Sequence, residues 1–193
     1  MAIEVVPASA ERFGDLAAIV GPSQPGGQAC WCLAYRIRSA EREALGPAGQ
    51  ADLVRSLCAR DGAPGVLAYD EGTVVGWAGV APRSELHGFR RGSRIPWLDD
   101  LPVWSVWCFR VRGGHRRQGV AGALLAGAVE FARAHGAPAV EGYPVDNLGA
   151  RVDGTLAFVG TRSMFERVGF AKVSDTTAVA ARLPRVLMRL DLV

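Results

Sequence analysis

The chain has 193 residues, of which 49% are hydrophobic and 21% are charged, and its formal net charge is +3. This length suits one domain with a full hydrophobic core and is short for two, so we expect a single domain over residues 1–193. The net charge is too small to indicate a nucleic-acid-binding protein, and the apolar runs are too short for a membrane span. The N-terminus lacks the pattern of a signal peptide, so we expect a cytoplasmic protein.

The first half of the chain predicts a strand, two helices and a β-hairpin. A short strand at 2–6 is followed by a helix over 9–20, for which Ser9 is the candidate N-cap. After a loop at 21–27, a second helix is expected over 39–60, capped by Ser39 and interrupted near 46–50. Two β-rich runs on either side of an Asp-Glu-Gly turn then predict a hairpin over 65–82.

The second half predicts a central strand with helical crossovers around it. Residues 84–102 are irregular and polar, whereas 103–111 is β-branched and aromatic and predicts a central strand. A turn leads into a helix at about 118–135, then a strand at 138–145, a loop at 146–155 and a short helix at 160–169. Two closing strands follow. This order predicts an α/β (α+β) fold, with a central mixed, mostly antiparallel sheet flanked by helices.

The turn between the central strand and its following helix is rich in glycine and basic residues. A glycine-rich turn before a helix leaves the first helical N–H groups free, and the helix dipole adds positive potential there. Arg116, Arg117 and Gln118 add side-chain donors, so the turn predicts an anion site. The P-loop pattern and the dinucleotide pattern Gly-x-Gly-x-x-Gly are both absent. An ordinary strand-to-helix connection would explain the glycines but not the run of donors.

The same turn matches the signature Arg/Gln-x-x-Gly-x-Gly/Ala, with the residues Arg116, Arg117, Gln118, Gly119, Val120 and Ala121. The strand before it ends in the pattern Phe109-x-Val111, and a later helix and turn at 165–170 end in Gly-Phe. By these features the chain resembles the GCN5-related N-acetyltransferase (GNAT) superfamily. The element order matches the family from about residue 3 to residue 192.

The resemblance implies a splay between the strands at 103–111 and 138–145. Backbone groups of Phe109 and Val111 would pair with the pantetheine arm of acetyl-CoA. The six turn residues would bind the pyrophosphate of acetyl-CoA, and Phe165 would also contact this cofactor. The co-substrate implied is acetyl-CoA, without a metal. The partner is an amine acceptor, which attacks the thioester directly in a ternary complex, and homodimer formation is left open.

Two positions depart from the family pattern. Many members have a Tyr that protonates the thiolate where this chain has Phe165, and some have a Glu base where it has Ser105, which can at most hold a water. Glu141 is the first choice as a replacement base, although an ion pair with an arginine is favoured over that role. Tyr143 could serve as an acid, although a packed Tyr with a satisfied hydroxyl is favoured. Asp146, Glu85 and His87 are further candidates for proton transfer. Asp146 could instead be a turn or cap residue, and Glu85 and His87 could be solvated surface residues. His115 lies in the turn itself and would contact phosphate.

The acceptor pocket is indicated only in outline. Five tryptophans are many for one domain, and some must belong to the core. Trp31 and Tyr35 lie where the family covers the acceptor, and an aromatic wall suits a cationic or flat amine. The nearby Cys30 and Cys32 have the wrong spacing for a redox or zinc pair, so a structural or substrate-lining role is expected.

Two other functions remain open from the sequence. A non-catalytic acyl-CoA-binding sensor is favoured slightly by the missing Tyr and the missing strand Glu. A nucleic-acid-binding protein that uses the arginines is weakly supported, because the arginines are dispersed and no such motif occurs.

Overall fold

A computed structural model describes residues 3–24, 26–89, 93–149, 152 and 158–192. Three predicted loops lie partly outside the described residues, at positions 25, 90–92, 150–151 and 153–155. The first residue of the predicted N-terminal strand, at position 2, also lies outside them. The elements in chain order are β1 (Ile3–Pro7), α1 (Phe13–Val20), α2 (Ser39–Cys58), β2 (Gly65–Asp70), β3 (Thr73–Pro82), β4 (Trp104–Val111), α3 (Val120–Ala134), β5 (Ala139–Gly142), α4 (Arg162–Arg167), β6 (Ala171–Ala180) and β7 (Leu183–Asp191).

Seven strands form one mixed sheet in the order β1-β2-β3-β4-β5-β7-β6. Every neighbouring pair is antiparallel except β4 and β5, which are parallel and are connected through α3. The predicted fold class is therefore confirmed, including the hairpin of β2 and β3. No helix in the described part of the chain is long and apolar enough to cross a membrane.

Several element boundaries differ from the prediction for local reasons. Ser9 does not cap α1, because a single 3-10 turn intervenes and the Ser9 hydroxyl accepts from Arg12. Ser39 is the first residue of α2 and not its cap, and the helix is interrupted at Gly46, as predicted. The helix after the basic turn begins at Val120 and not at 118. Thr161 caps α4 by accepting from the Met164 N–H.

The two faces of the sheet carry separate cores. One core lies between the sheet and α3 and α4, and the other lies between the sheet and α1 and α2. A β-bulge in β4 opposite the Gly79–Val80 bond changes which face its side chains occupy. As a result Val106 and Phe109 face the α3 core, while Trp107 and Cys108 both face the α1 and α2 core.

The predicted splay lies between β4 and β5. Their pairing covers only three positions, from Trp104 with Val140 to Val106 with Gly142, after which the strands diverge. β5 is shorter than predicted, ending at Gly142. Beyond it, Val145 forms isolated bridges to Thr161 and to Arg185. The splay therefore opens beside the second half of β4, where the sequence places Phe109 and Val111.

Candidate functional site

The basic turn after β4 is open to solvent. Arg112, Arg116, Arg117, Gln118 and Gly119 are all exposed, and the exposed Arg110 precedes them on β4. The side chain of Arg116 donates to the Val111 carbonyl at 3.4 Å, and that of Gln118 to the Gly114 carbonyl at 3.0 Å. These two bonds fix the path of the turn. An anion that reaches the turn meets a dense group of arginines.

Among the residues that the structure describes, no side chain caps the N-terminus of α3. Gly119 is the N-cap residue, with a φ of 84°, and its carbonyl accepts from the Ala123 N–H at 3.0 Å. This left-handed conformation favours glycine, and a side chain there would meet no protein atom within 4 Å. Since α3 has 15 residues, its first N–H groups and its dipole create a positive end that faces the open turn.

Phe109 and Val111 already have backbone partners within the chain. The N–H of Phe109 donates to the carbonyl of Phe158 at 2.7 Å, and the carbonyl of Val111 accepts from Arg116. The Phe158 carbonyl therefore occupies the side of β4 on which the splay opens. Pairing of these two groups with a pantetheine arm stays a prediction, and in this conformation each would have to exchange its partner.

Phe165 lies at the closed end of the splay. Its ring is fully buried and makes edge-to-face contacts with Phe109 and Phe170. A Cβ at Gly142 would stand 2.1 Å from this ring, so the strand must be bare where it passes the phenylalanine. The side chain that replaces the family's tyrosine is thus part of the core wall next to β4 and β5.

Glu141 belongs to a buried network of charges. One carboxylate oxygen accepts from Arg189 at 2.6 Å and 3.1 Å, and the other accepts from Arg83 at 3.1 Å. Arg189 also forms a two-pronged ion pair with Asp99, at 2.6 Å and 3.0 Å. Glu141 is completely buried, and both arginines are nearly so. Because both of its oxygens are already engaged by cations, these contacts favour a structural role over that of a general base.

Tyr143 and Ser105 extend the same network. The Tyr143 hydroxyl donates to Glu141 at 3.0 Å and lies 3.4 Å from the Ser105 hydroxyl. Burial, followed by the negative charge of Glu141, raises the pKa of Tyr143 well above its ordinary value, which makes it a weaker acid. The structure thus joins all three predicted catalytic residues in one buried chain of hydrogen bonds. Their catalytic roles stay predictions.

Glu85, Asp146 and His115 have other partners and do not belong to this hydrogen-bond network. Glu85 pairs with Arg36 at 3.1 Å, and Asp146 pairs with Arg162 at 3.2 Å. His115 lies 3.5 Å from Asp70, beside the basic turn. Asp146 also lines a cavity of about 270 Å³ at the start of α4.

The two predicted acceptor-binding aromatics separate in the structure. Trp31 is buried and stacks on Phe13 of α1. Tyr35 stacks on Phe89, which in turn packs against Tyr143. Only Tyr35 therefore lies beside the residues that surround the splay on the α1 and α2 side of the sheet. Trp77, Trp104 and Trp107 are core residues, as the sequence required of some of them.

Three of the four free cysteines, Cys30, Cys32 and Cys108, form a close group of thiols. Cys32 donates to Cys108 on β4 at 3.2 Å, and the sulfur of Cys30 lies 4.0 Å from that of Cys32. The hydrogen bond to Cys108 and burial raise the pKa of Cys32, so this thiol stays protonated. In the described part of the chain, no group of three or more His, Cys, Asp or Glu residues is placed to hold a metal ion.

Sequence reasoning missed the arginines of this region. Arg83 and Arg189 are 58 and 48 residues away from Glu141 along the chain, and no local pattern links them. Arg185 is also buried and donates to the Tyr143 carbonyl at 2.6 Å and to the Tyr35 hydroxyl at 2.8 Å. The one available signal was the spacing of Arg185 and Arg189, which places both on one face of a strand.

The ion pair with Arg189 makes stability depend on pH through Asp99. The hydrogen bonds from Arg189 hold the pKa of Asp99 below its ordinary value. A depressed folded-state pKa adds stability above the unfolded value, about pH 4, and this stability is lost as the pH falls through the folded value. Urea unfolding from pH 7 to pH 3 is expected to show a cost for Asp99→Asn that shrinks towards low pH. Asp52→Asn, on the exposed surface of α2, is the control and should show no such convergence.

Comparisons with known proteins agree with this geometry. The family model described as the acetyltransferase (GNAT) family matches residues 32–170. No curated protein sequence matches the chain. Similar solved structures include a GNAT-family acetyltransferase from Streptococcus pneumoniae (11% identity, TM-score 0.58, all of both chains) and an N-acetyltransferase from Staphylococcus aureus Mu50 (15%, 0.55, all of both chains). Another is the GNAT domain of S. lividans PAT (15%, 0.54, covering 98% of this chain and 90% of that one).

At such low identities the solved structures establish the fold alone. The match of the family model spans most of the chain, and it includes β4, the basic turn, α3 and the Gly-Phe pair after α4. The chain therefore belongs to the GNAT acetyltransferase family.

Proposed function

We propose that the protein transfers an acetyl group from acetyl-CoA to a primary amine by direct attack. The observation that carries the proposal is the N-terminus of α3, which is uncapped, begins at a left-handed glycine and is surrounded by exposed arginines. Such an end binds phosphate groups through backbone N–H donors and the helix dipole. It stands directly beside the splay, so a ligand held there extends along β4.

The proposed reaction needs no covalent enzyme intermediate. The amine nitrogen attacks the thioester carbonyl carbon, the carbon–sulfur bond breaks, and the CoA thiolate leaves. Positioning of the two reactants supplies much of the acceleration. The nitrogen must also lose a proton, and Glu141 is poorly suited to take it because two arginines already hold its carboxylate. The thiolate is a good enough leaving group to depart without an acid.

A non-catalytic acyl-CoA-binding sensor is the second candidate. It is favoured by the engaged state of Glu141 and Tyr143, which hydrogen-bond to each other and, through Glu141, to two arginines. Neither proton-transfer candidate is therefore free to exchange a proton with an acceptor. This function needs acetyl-CoA binding but no acceptor.

Two measurements separate these functions. Calorimetric titration with acetyl-CoA comes first, followed by a free-thiol assay against a panel of amines. The exposed thiol of Cys30 sets the blank of that assay, so the enzyme without acetyl-CoA is measured in parallel. Release of thiol that depends on both substrates supports the enzyme. Tight binding without thiol release for any amine would support the sensor, and absence of binding would overturn both.

A further inference from the structure

Arg185 is a buried cation on β7. Its side chain is on the α1 and α2 side of the sheet, and the residue is 4% exposed. It donates to the Tyr143 carbonyl and to the Tyr35 hydroxyl, whereas its Nη2 atom is buried without a hydrogen-bond partner. Within the described residues, no carboxylate forms an ion pair with it.

The neighbouring arginines show how unusual this is. Arg83 and Arg189 lie on the same side of the sheet, and the carboxylates of Glu141 and Asp99 together balance their two charges. A buried charge without a counter-ion is costly, and a buried donor without an acceptor adds to that cost. Arg185 has both an unpaired buried charge and an unsatisfied buried donor among the described residues. A ligand that supplies the missing anion best explains why both are retained.

The position of Arg185 relates this cation to the acceptor. Its backbone bridges to Val145, just beyond the point where β5 leaves β4, and its Nε holds the carbonyl of Tyr143. The guanidinium is thus fixed at the edge of the splay. The ring of Tyr35 lies 5.8 Å from the guanidinium and stacks on Phe89, and both aromatic residues belong to irregular connections.

Tyr35 can complete an anion clamp. Its hydroxyl oxygen accepts from Nη1 of Arg185, which leaves its own O–H free to donate, because a phenol has both capacities. Among the described residues no acceptor receives that O–H. Tyr35 is also partly exposed. Nη2 and the Tyr35 O–H together offer two donors to the two oxygens of one carboxylate.

We propose that Arg185 and Tyr35 bind a carboxylate on the acceptor, so that the acceptor is a free amino acid whose amine is acetylated. This inference rests on the proposed acetyl transfer and adds the chemical class of the acceptor. Arg185 is a specificity-determining residue in this proposal, since it binds the unreactive end of the acceptor.

The test compares acceptors that differ only in the carboxylate. The panel consists of α-, β- and γ-amino acids and the carboxamide of each, and kcat/KM is measured for every member. Wild type is expected to prefer the carboxylates by about 10- to 100-fold, the range for a hydrogen bond to a charged group. Arg185→Gln should lose that preference, so that its kcat/KM values for each carboxylate and its carboxamide become equal. Arg182→Gln removes an exposed arginine from the β6–β7 turn and should keep the preference.

Direct binding keeps this inference distinct from the proposed reaction. In the presence of CoA, amino acids are expected to raise the melting temperature of wild type and of Arg182→Gln but not of Arg185→Gln. If no amine is acetylated yet this pattern holds, the acetyl-transfer proposal fails and the carboxylate site stands.

Two results would overturn the site. One is equal kcat/KM for carboxylates and carboxamides in wild type, and the other is a rise in melting temperature with amino acids that survives Arg185→Gln. If Arg185→Gln does not fold, Tyr35→Phe takes its place, and an unchanged preference in it would overturn the clamp.

Discussion

Gly119→Glu is expected to weaken acetyl-CoA binding by at least about 100-fold. The substitution introduces a carboxylate at the N-cap of α3. The Cβ atom added at this position would meet no protein atom within 4 Å. That carboxylate would accept from the first N–H groups of the helix and so take the place of the pyrophosphate. It would also repel any phosphate that remains nearby.

The matched control for this variant is Gly136→Glu. Gly136 follows the other end of α3, has a φ of 73° and is exposed, and a Cβ added there would also meet no atom within 4 Å. The backbone cost of a non-glycine residue, about 1–2 kcal/mol, is therefore shared by the two variants. Calorimetry with acetyl-CoA should show normal binding for Gly136→Glu and none for Gly119→Glu. A folded Gly119→Glu that binds within about threefold of wild type would refute the anion site.

Glu141→Gln is expected to lower the free energy of unfolding by about 3–5 kcal/mol. The substitution removes the negative charge between Arg83 and Arg189, which are both buried. Arg189 keeps Asp99 and Arg83 keeps two backbone carbonyls, so the network loses charge balance and not all of its hydrogen bonds. Urea denaturation at pH 7 measures the loss.

Glu130→Gln is the control for this loss. Glu130 also pairs with an arginine, Arg133, but on the exposed surface of α3, where an ion pair contributes at most about 1 kcal/mol.

Glu141→Gln also decides whether Glu141 has a catalytic role. If Glu141 is the general base, folded Glu141→Gln should lose about 100-fold or more in kcat, the usual order for that function. A folded variant with an unchanged kcat would assign Glu141 to the structure alone.

The sequence predicted those features that local patterns determine. The turn residues 71–72 between two β-rich runs specified the β2–β3 hairpin, and the run before Val111 specified the central strand. The basic turn was also recognisable, because glycine and donor residues occur together within a few positions. In each case the residues that carry the signal are neighbours along the chain.

The features that the sequence did not predict depend on residues far apart in the chain. The network around Glu141 joins three strands and a loop, and the contact of Cys32 with Cys108 spans 76 residues. The bulge in β4 decides which face Cys108 occupies, but its sequence reads as an ordinary strand. Alternation gives the two faces of a strand and does not say which charges lie across the sheet. For this reason the sequence left open whether Glu141 is a base or pairs with an arginine, and it did not say which arginine.

A cofactor arm that pairs with β4 must displace the protein's own backbone. In the conformation described, the Phe158 carbonyl acts as an intramolecular competitor for the Phe109 N–H, tethered close to it at high effective concentration. Under the proposed function, the affinity measured for acetyl-CoA is then the intrinsic affinity multiplied by the fraction of molecules in which this bond is broken. One net hydrogen bond of about 1 kcal/mol already lowers the apparent affinity about fivefold.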